Sequence, residues 1–306
     1  MKTIQTAEKN FAVPDIGLGC MRIADMPGKE INTLIHEAME LGVNFFDHAD
    51  IYGGGRCEEV FAQNCDIPRD KMIIQTKCGI RQNDGPTYYD FSKEYILACA
   101  DRSLKRLNMD YIDILLLHRP DALMEPEEVA EAFETLHKSG KVRYFGVSNH
   151  NPAQMALLQK SLGQKLLFNQ LQMSIMHSGM VDAGINVNLK TEAATVRDGG
   201  ILDYCRLNDV IVQAWSPFQF GFFDGVFLGN PKFPELNEAI DKLAAAYHVS
   251  ATTIAAAWLL RHPAHIQVIP GTTKGSRLCE VAAASGLAMT RREWYDIYRA
   301  AGNRLP

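Results

Sequence analysis

The chain has 306 residues, of which 47% are hydrophobic and 22% charged, and its formal net charge is -5. This composition is typical of a folded globular protein, and it excludes disorder as the dominant state. Because no block of like charges accompanies the small acidic excess, the sequence argues against a nucleic-acid or membrane-surface partner and favours a small molecule.

Eight short apolar or β-branched runs alternate with amphipathic stretches, which is the pattern of a parallel sheet covered by helices. The predicted strands are 15–20, 45–47, 72–77, 112–118, 144–147, 166–171, 210–214 and 267–269. The predicted helices lie near 29–41, 57–65, 92–107, 126–139, 152–161, 198–206, 235–261 and 275–285. This alternation predicts an α/β fold, a (β/α)8 TIM barrel forming a single domain over residues 1–306, with an N-terminal hairpin at 3–14 across the barrel bottom.

Two long segments, 79–91 and 217–234, interrupt the regular alternation and are rich in glycine, proline and aromatic residues. They follow the third and seventh predicted strands. Because reacting groups in such barrels lie at the carboxyl ends of the strands, we expect both loops on the active face.

Four polar side chains fall at or just after the carboxyl ends of predicted strands. Asp47 and Tyr52 lie in F-F-D-H-A-D-I-Y-G after the second strand, Lys77 ends the third, and His118 ends the fourth. The carboxyl ends of barrel strands meet at one face, so these four side chains are expected to converge.

Such a set suits the reduction of a carbonyl group, which requires a hydride at carbon and a proton at oxygen. A phenol with an ordinary pKa of about 10 donates its proton reluctantly at neutral pH. A neighbouring ammonium from Lys77 is expected to lower the pKa of Tyr52, while Asp47 keeps that ammonium charged. His118 is expected to hydrogen-bond the substrate oxygen.

Three of these four residues also have another interpretation. A strand-end aspartate such as Asp47 commonly caps a helix or anchors a loop, and His118 before Arg-Pro is able to hold a turn. Lys77 alone equally fits a Schiff-base lysine, as barrel aldolases employ at a strand end.

The stretches D-H-A-D-I-Y-G, L-L-L-H-R-P-D and F-G-V-S-N resemble the aldo-keto reductase superfamily, most closely its YdhF-type bacterial branch. The resemblance runs from Gly17 to about Glu280. It implies a barrel enzyme that transfers a hydride from NADPH to an aldehyde or ketone, with Tyr52 as proton donor supported by the other three residues. His48 stands where the family often has threonine.

The nicotinamide site is expected outside a Rossmann domain, because no G-x-G-x-x-G motif follows a strand. The resemblance implies that Ser148, Asn149 and Gln170 hold the carboxamide and that Trp215, where the family usually has tyrosine, stacks on the ring. The remaining residues expected along the cofactor and the pocket wall are Met21, Arg22, Ser216 and Pro217. The segment 218–230 is expected to fold over the pyrophosphate.

The segment 269–277 follows the eighth strand and opens a helix, which offers backbone N–H groups and cations to an anion. By resemblance it binds the adenosine 2′-phosphate and favours NADPH over NADH. The residues implied are Gly271, Thr272, Thr273, Lys274 and Arg277, with Glu280 near the adenine. The frequent family lysine after the proline is Gly271 here, and Lys274 and Arg277 alternatively are only solvated charges at a helix start.

No targeting, membrane or metal signal emerges from the sequence. The seven cysteines are scattered without a C-x-x-C pair, which fits a reducing cytoplasm. No basic start precedes an apolar run, and no apolar segment reaches the roughly 18 residues of a membrane span. His262 and His265 have metal-like spacing, but Pro263 intervenes and no third ligand follows, so no metal is expected.

The expected partner is a small carbonyl substrate, and the protein is expected to be a monomer or weak oligomer. Two other functions remain open from sequence. One is a nicotinamide-binding regulatory subunit with incidental chemistry, and the other is a Schiff-base lyase acting through Lys77.

Overall fold

The computed structural model describes residues 1–82, 87–187, 192, 195 and 199–303. Its strands are β1 (Thr3–Gln5), β2 (Ala12–Pro14), β3 (Leu18–Gly19), β4 (Phe45–Asp47), β5 (Ile73–Cys78), β6 (Ile80–Arg81), β7 (Tyr88–Tyr89), β8 (Ile112–Leu117), β9 (Val142–Ser148), β10 (Leu166–Gln172), β11 (Ile211–Trp215) and β12 (Gln267–Ile269). Its helices are α1 (Gly28–Glu40), α2 (Arg56–Asn64), α3 (Lys93–Leu107), α4 (Pro126–Lys138), α5 (Pro152–Ser161), α6 (Gly179–Ile185), α7 (Ile201–Leu207), α8 (Pro234–Tyr247), α9 (Ala251–Leu260), α10 (Gly275–Ala283) and α11 (Arg291–Ala300). All eight predicted barrel strands are present.

The main sheet is parallel throughout, in the order β12-β11-β10-β9-β8-β5-β4-β3. Backbone hydrogen bonds join its two ends, since Gly17 N–H donates to Val268 O, and Gly19 N–H to Pro270 O, each at 3.0 Å. Val268 N–H returns a bond of 3.0 Å to Asp15 O. The predicted eightfold α/β barrel is therefore confirmed.

The strands form because their side chains are buried on both faces, one inside the barrel and one under the helices. All six residues of β8, I-D-I-L-L-L, are buried. The helices supply the second layer through amphipathic stripes, and α3 turns Ile96, Cys99, Leu104 and Leu107 inwards. This layering places the irregular loops at the two ends of the barrel.

The N-terminal hairpin covers the barrel end where the strands begin. β1 and β2 pair antiparallel, and Ile4 and Val13 pack with Phe45 and other residues inside the barrel. Phe11 stacks on Tyr144, with ring centroids 4.1 Å apart. The predicted hairpin is thus confirmed, and the opposite end stays accessible.

The predicted helix 235–261 is two helices, α8 and α9, which meet at an angle of 95°. His248 takes a left-handed conformation with φ 55° and ends α8. The side chain of Ser250 then accepts a hydrogen bond from Thr253 N–H and begins α9. In the described chain, only these two helices taken together across their bend have the length and apolar composition of a membrane span.

Two further helices, α6 and α11, lie outside the predicted set. α11 begins with a capping box in which Thr290 and Glu293 bond each other's backbone N–H groups. Of the interrupting segment 79–91, residues 80–81 and 88–89 form a short hairpin, and residues 83–86 lie outside the described residues.

Candidate active site

A cavity of about 750 Å³ opens at the end of the barrel where the strands finish. It is lined by Asp47 from the end of β4 and by Tyr52, which stands on a short helical turn over Tyr52–Gly55. All three glycines of this turn have left-handed backbones, with φ 60° at Gly53, 65° at Gly54 and 98° at Gly55. This turn brings the phenol back over the strand end that carries Asp47.

Lys77 joins these two side chains from the adjacent strand β5. Its Nζ donates to Asp47 Oδ1 at 2.8 Å and Oδ2 at 2.9 Å, to His48 O at 2.7 Å, and to the Tyr52 hydroxyl oxygen at 3.1 Å. Lys77 is fully buried and Asp47 is 3% exposed. The structure therefore brings the phenol, the ammonium and the carboxylate into one hydrogen-bonded chain.

The pKa values of Tyr52 and Lys77 depend on burial and on neighbouring charges, and these two effects act in opposite directions. Burial raises the pKa of Tyr52 above its ordinary value of 10, and the Lys77 ammonium opposes that rise without cancelling it. Burial by itself lowers the pKa of Lys77, but the charges of Asp47 and Tyr52 raise it above 10.5. Lys77 thus has the expected lowering effect on the Tyr52 pKa, but loss of water from the buried phenol outweighs it in the protein alone.

His118 follows β8 and faces Tyr52 across the cavity, with ring centroids 6.0 Å apart and planes at 80°. Burial, together with the charges of Lys77 and Arg119, holds its pKa well below 6.5. The imidazole is therefore neutral at physiological pH, and a neutral ring has one N–H to donate. Its Nδ1 is buried without a hydrogen-bond partner in the described chain.

His48, the departure from the family pattern, lies outside the cavity lining. It is fully buried and meets the edge of Phe61 from α2, with centroids 4.7 Å apart. Burial and the charge of Lys77 lower its pKa to about 3. His48 is therefore a neutral packing residue beneath Lys77.

The residues expected at the nicotinamide line one side of the cavity and bond each other. Ser148 Oγ donates to Gln170 O at 2.8 Å, and Asn149 Nδ2 donates to Ser148 Oγ at 2.8 Å. Trp215 Nε1 donates to Asn149 Oδ1 at 3.3 Å. Ser216, directly after the tryptophan, has a left-handed backbone with φ 48°. These bonds hold the indole beside the three polar side chains.

Only part of the expected phosphate loop lines the cavity. Gly271, Thr272 and Arg277 do so, whereas Thr273, Lys274 and Glu280 do not. Lys274 is exposed and precedes the first residue of α10.

The expected residues Met21, Arg22, Ser216 and Pro217 also line the cavity. Arg22 Nη1 donates to Gly271 O at 3.5 Å. Arg22 therefore lies beside this loop.

Arg119 lines the cavity but is outside the set predicted from sequence. It lies beside His118, with its guanidinium carbon 5.9 Å from the Trp215 ring centroid and 6.0 Å from that of Phe222. Phe222 and Phe223, in the expected loop 218–230, are 63% and 50% exposed at the cavity mouth. The sequence R-P after His118 predicts a turn, although a cation one residue beyond a catalytic candidate is itself a signal.

Among the described residues, no cluster of three or more His, Cys, Asp or Glu side chains is arranged to hold a metal ion. All seven cysteines are unpaired thiols. The reactive groups that the described site does bring together are a phenol, an ammonium, a carboxylate and an imidazole.

Comparison with known proteins agrees with this geometry. The family model for the Aldo/keto reductase family matches residues 15–301. The chain is 37% identical to oxidoreductase YdhF of Escherichia coli (strain K12) over 93% of this chain and 92% of the relative. It is 35% identical to a 6-dehydroglucose reductase of Novosphingobium aromaticivorans, over 99% and 96% of the two chains. A crystal structure of an aldo/keto reductase from Klebsiella pneumoniae, in complex with NADP and acetate, superposes with a TM-score of 0.79 at 24% identity, over 100% of this chain and 99% of the other.

Proposed function

Since this chain belongs to the aldo/keto reductase family, we propose that it reduces the carbonyl group of an aldehyde or ketone with NADPH, and that Tyr52 donates the proton. The observation that carries the proposal is the buried contact of Lys77 Nζ with both Asp47 and the Tyr52 hydroxyl. A fully buried ammonium held by a carboxylate and aimed at a phenol supports proton transfer at that phenol.

The cavity suits a nicotinamide dinucleotide. Its volume of about 750 Å³ lies within the range of cofactor pockets. Trp215 offers a flat aromatic face, and Ser148, Asn149 and Gln170 offer donors and acceptors to a carboxamide. A side chain at Gly271 would meet nothing within 4 Å, so the loop backbone borders open space. Arg277 at the start of α10 supplies a cation for the 2′-phosphate that distinguishes NADPH from NADH.

The cofactor, when bound, supplies the hydride, and the side chains of the chain manage the proton. Lys77 donates its hydrogen bond to the phenol oxygen, so the phenolic hydrogen is free to point into the cavity. As the proton leaves Tyr52, the nearby ammonium stabilises the phenolate that remains. Neutral His118 donates an N–H to the carbonyl oxygen and orients it towards Tyr52.

Replacing Tyr52 by phenylalanine tests this assignment. The Tyr52→Phe variant should lose turnover by about 10²–10⁴-fold, because it lacks a general acid. Its affinity for NADPH should stay within about twofold, since the hydroxyl touches Lys77 rather than the cofactor-binding side chains. Turnover is followed by NADPH absorbance with a panel of aldehydes and ketones, and turnover at the unaltered rate would contradict the role of Tyr52.

The surroundings of Lys77 argue against a Schiff-base lyase. Its ammonium is fully buried and donates to three groups, and its raised pKa keeps it protonated. A Schiff-base lysine has to lose its proton to attack a carbonyl. A regulatory subunit with incidental chemistry predicts tight NADPH binding with negligible rates over the whole carbonyl panel, so the same assay separates it from a reductase.

We further propose that the chain acts as one catalytic unit in a reducing cytoplasm, as a monomer or weak oligomer. Support comes from the single ring of strands, around one end of which the site residues gather, and from the seven unpaired cysteines. Light scattering across a concentration series measures the oligomeric state.

A further inference from the structure

Four glutamine side chains lie together inside the barrel, beneath the active-site cavity. Gln75 on β5, Gln213 on β11 and Gln267 on β12 are fully buried, and Gln170 on β10 is 3% exposed. Each is buried within a barrel strand, where an amide without hydrogen-bond partners is costly. Their hydrogen bonds therefore have to be made within the barrel.

These amides bond one another in an unbroken chain. Gln75 and Gln213 form a reciprocal pair, with Nε2 to Oε1 distances of 2.9 and 3.0 Å. Gln213 Nε2 also donates to Gln267 Oε1 at 2.8 Å, and Gln267 Nε2 donates to Pro14 O at 2.7 Å. We call Gln75, Gln213 and Gln267 the glutamine array.

The two ends of the array determine the direction of every amide. Gln75 Nε2 donates to Asp47 Oδ1 at 2.6 Å, and an ionised carboxylate only accepts hydrogen bonds. At the other end, the carbonyl of Pro14 also only accepts. Turning over any amide of the array would place two oxygen atoms in contact, so each amide has one permitted orientation.

The array in turn orients Gln170 at the cavity. Both N–H groups of Gln213 are used by Gln75 and Gln267, so only its Oε1, which already accepts from Gln75 Nε2, is left to bond Gln170. Gln170 Nε2 donates to that oxygen at 3.2 Å. Gln170 therefore keeps its nitrogen towards the array, and its Oε1 has no donor in the described chain. Because Gln170 lines the cavity, this oxygen is the acceptor presented to a ligand.

We propose that the glutamine array is a positioning device that fixes which end of the Gln170 amide faces the nicotinamide carboxamide. The proposal rests on the proposed function, which assigns Gln170 to that carboxamide. An acceptor at Gln170 selects the NH2 end of the carboxamide and so selects one orientation of the ring. The same array holds Asp47, so the group that binds the cofactor and the group that supports Tyr52 share one set of hydrogen bonds.

The test is a double-mutant cycle on NADPH affinity, measured by isothermal titration calorimetry. Gln213→Met removes the acceptor and both donors of the central amide while keeping an unbranched side chain. It should weaken NADPH binding about tenfold in the unaltered protein, which is the loss of one well-placed hydrogen bond. In a Gln170→Ala background it should change the affinity by less than about twofold, since no amide remains to be oriented.

A matched control separates this effect from general damage to the barrel. Asn169 lies on the same strand as Gln170, is fully buried, and donates to His150 O at 2.9 Å, away from the array. Asn169→Leu should lower the free energy of unfolding as Gln213→Met does, yet leave the NADPH affinity within about twofold. If Gln213→Met does not fold, Gln213→Asn carries the same cycle, because its amide is one methylene too short for its partners.

Equal weakening by Gln213→Met with and without Gln170 would overturn the proposal, and so would equal weakening by Asn169→Leu. The titration measures binding without turnover, so its result does not depend on which residue donates the proton. Failure of the unaltered protein to bind NADPH would instead contradict the proposed function.

Discussion

Replacing Lys77 by methionine should lower both the free energy of unfolding and the rate of carbonyl reduction. A second variant separates these two losses. The substitution leaves the Asp47 carboxylate, which is 3% exposed, without its buried counter-ion. Breaking a buried ion pair by removing one partner costs about 3–5 kcal/mol. For a chain of this size, about 2 °C per kcal/mol gives a fall in Tm of roughly 6–10 °C.

The double variant Asp47→Asn/Lys77→Met removes both charges and so leaves no carboxylate unpaired. Because a buried ion pair and a neutral pair of similar volume are often equally stable, it should recover to within about 1–2 kcal/mol of the unaltered protein. Asparagine retains an oxygen that accepts the hydrogen bond from Gln75. Carbonyl reduction should not recover, since the phenolate of Tyr52 would still lack its ammonium.

Urea unfolding followed by circular dichroism measures the first effect, and NADPH absorbance measures the second. Both variants should reduce carbonyls about 10²–10⁴-fold more slowly than the unaltered protein. The reasoning would be refuted if Lys77→Met were as stable as the unaltered protein. It would also be refuted if the double variant were no more stable than the single one, because Asp47 would then carry no uncompensated charge.

Three further outcomes follow from groups around the site. Arg119 lines the cavity and has no ion-pair partner in the described chain, so Arg119→Met should lower kcat/KM for succinic semialdehyde about tenfold more than for butanal; equal losses for the two aldehydes would remove a role in binding anions. Burial raises the pKa of Asp50 from 3.8 to about 6 despite the opposing charge of Arg106, so its contribution to stability is complete below pH 3.8 and is lost as the pH rises through 6. The free energy of unfolding of Asp50→Asn, taken relative to that of the unaltered protein, should therefore rise by about 3 kcal/mol between pH 3.5 and pH 8. Urea unfolding measures it, and the same pH dependence of stability in both proteins would contradict this. Arg277→Ala should weaken NADPH binding about tenfold and NADH binding less than about twofold, and an equal effect on both would place the 2′-phosphate elsewhere.

Sequence patterns predicted the barrel well because burial on both faces of a strand leaves a local signature. The run I-D-I-L-L-L of β8 is one example, and the alternation of such runs with amphipathic stretches was sufficient for the fold. The convergence of Asp47, Lys77 and His118 followed from the rule that strand carboxyl ends share a face.

Other features depend on contacts between distant segments and leave little local signal. Gln75 lies in I-I-Q-T-K-C, and its partner Gln213 is 138 residues away, so the reciprocal amide pair becomes visible only once the strands are arranged in space. The break at His248 depends on its left-handed backbone, a conformation that a single histidine between two apolar helical stretches does not by itself signal. Burial of the Tyr52 hydroxyl, which outweighs the lowering effect of Lys77 on its pKa, likewise arises from cavity walls that several strands supply together.

The ring of strands is closed by backbone bonds from Asp15, Gly17 and Gly19 to Val268 and Pro270. A polypeptide emerging from a ribosome therefore keeps an unpaired sheet edge until β12 has been made. During synthesis the growing sheet offers β3 to any other extended segment, including one from a neighbouring nascent chain. Truncations that end before β12 should therefore aggregate. Removal of α11 should not have this effect, because it leaves the backbone bonds that close the ring in place.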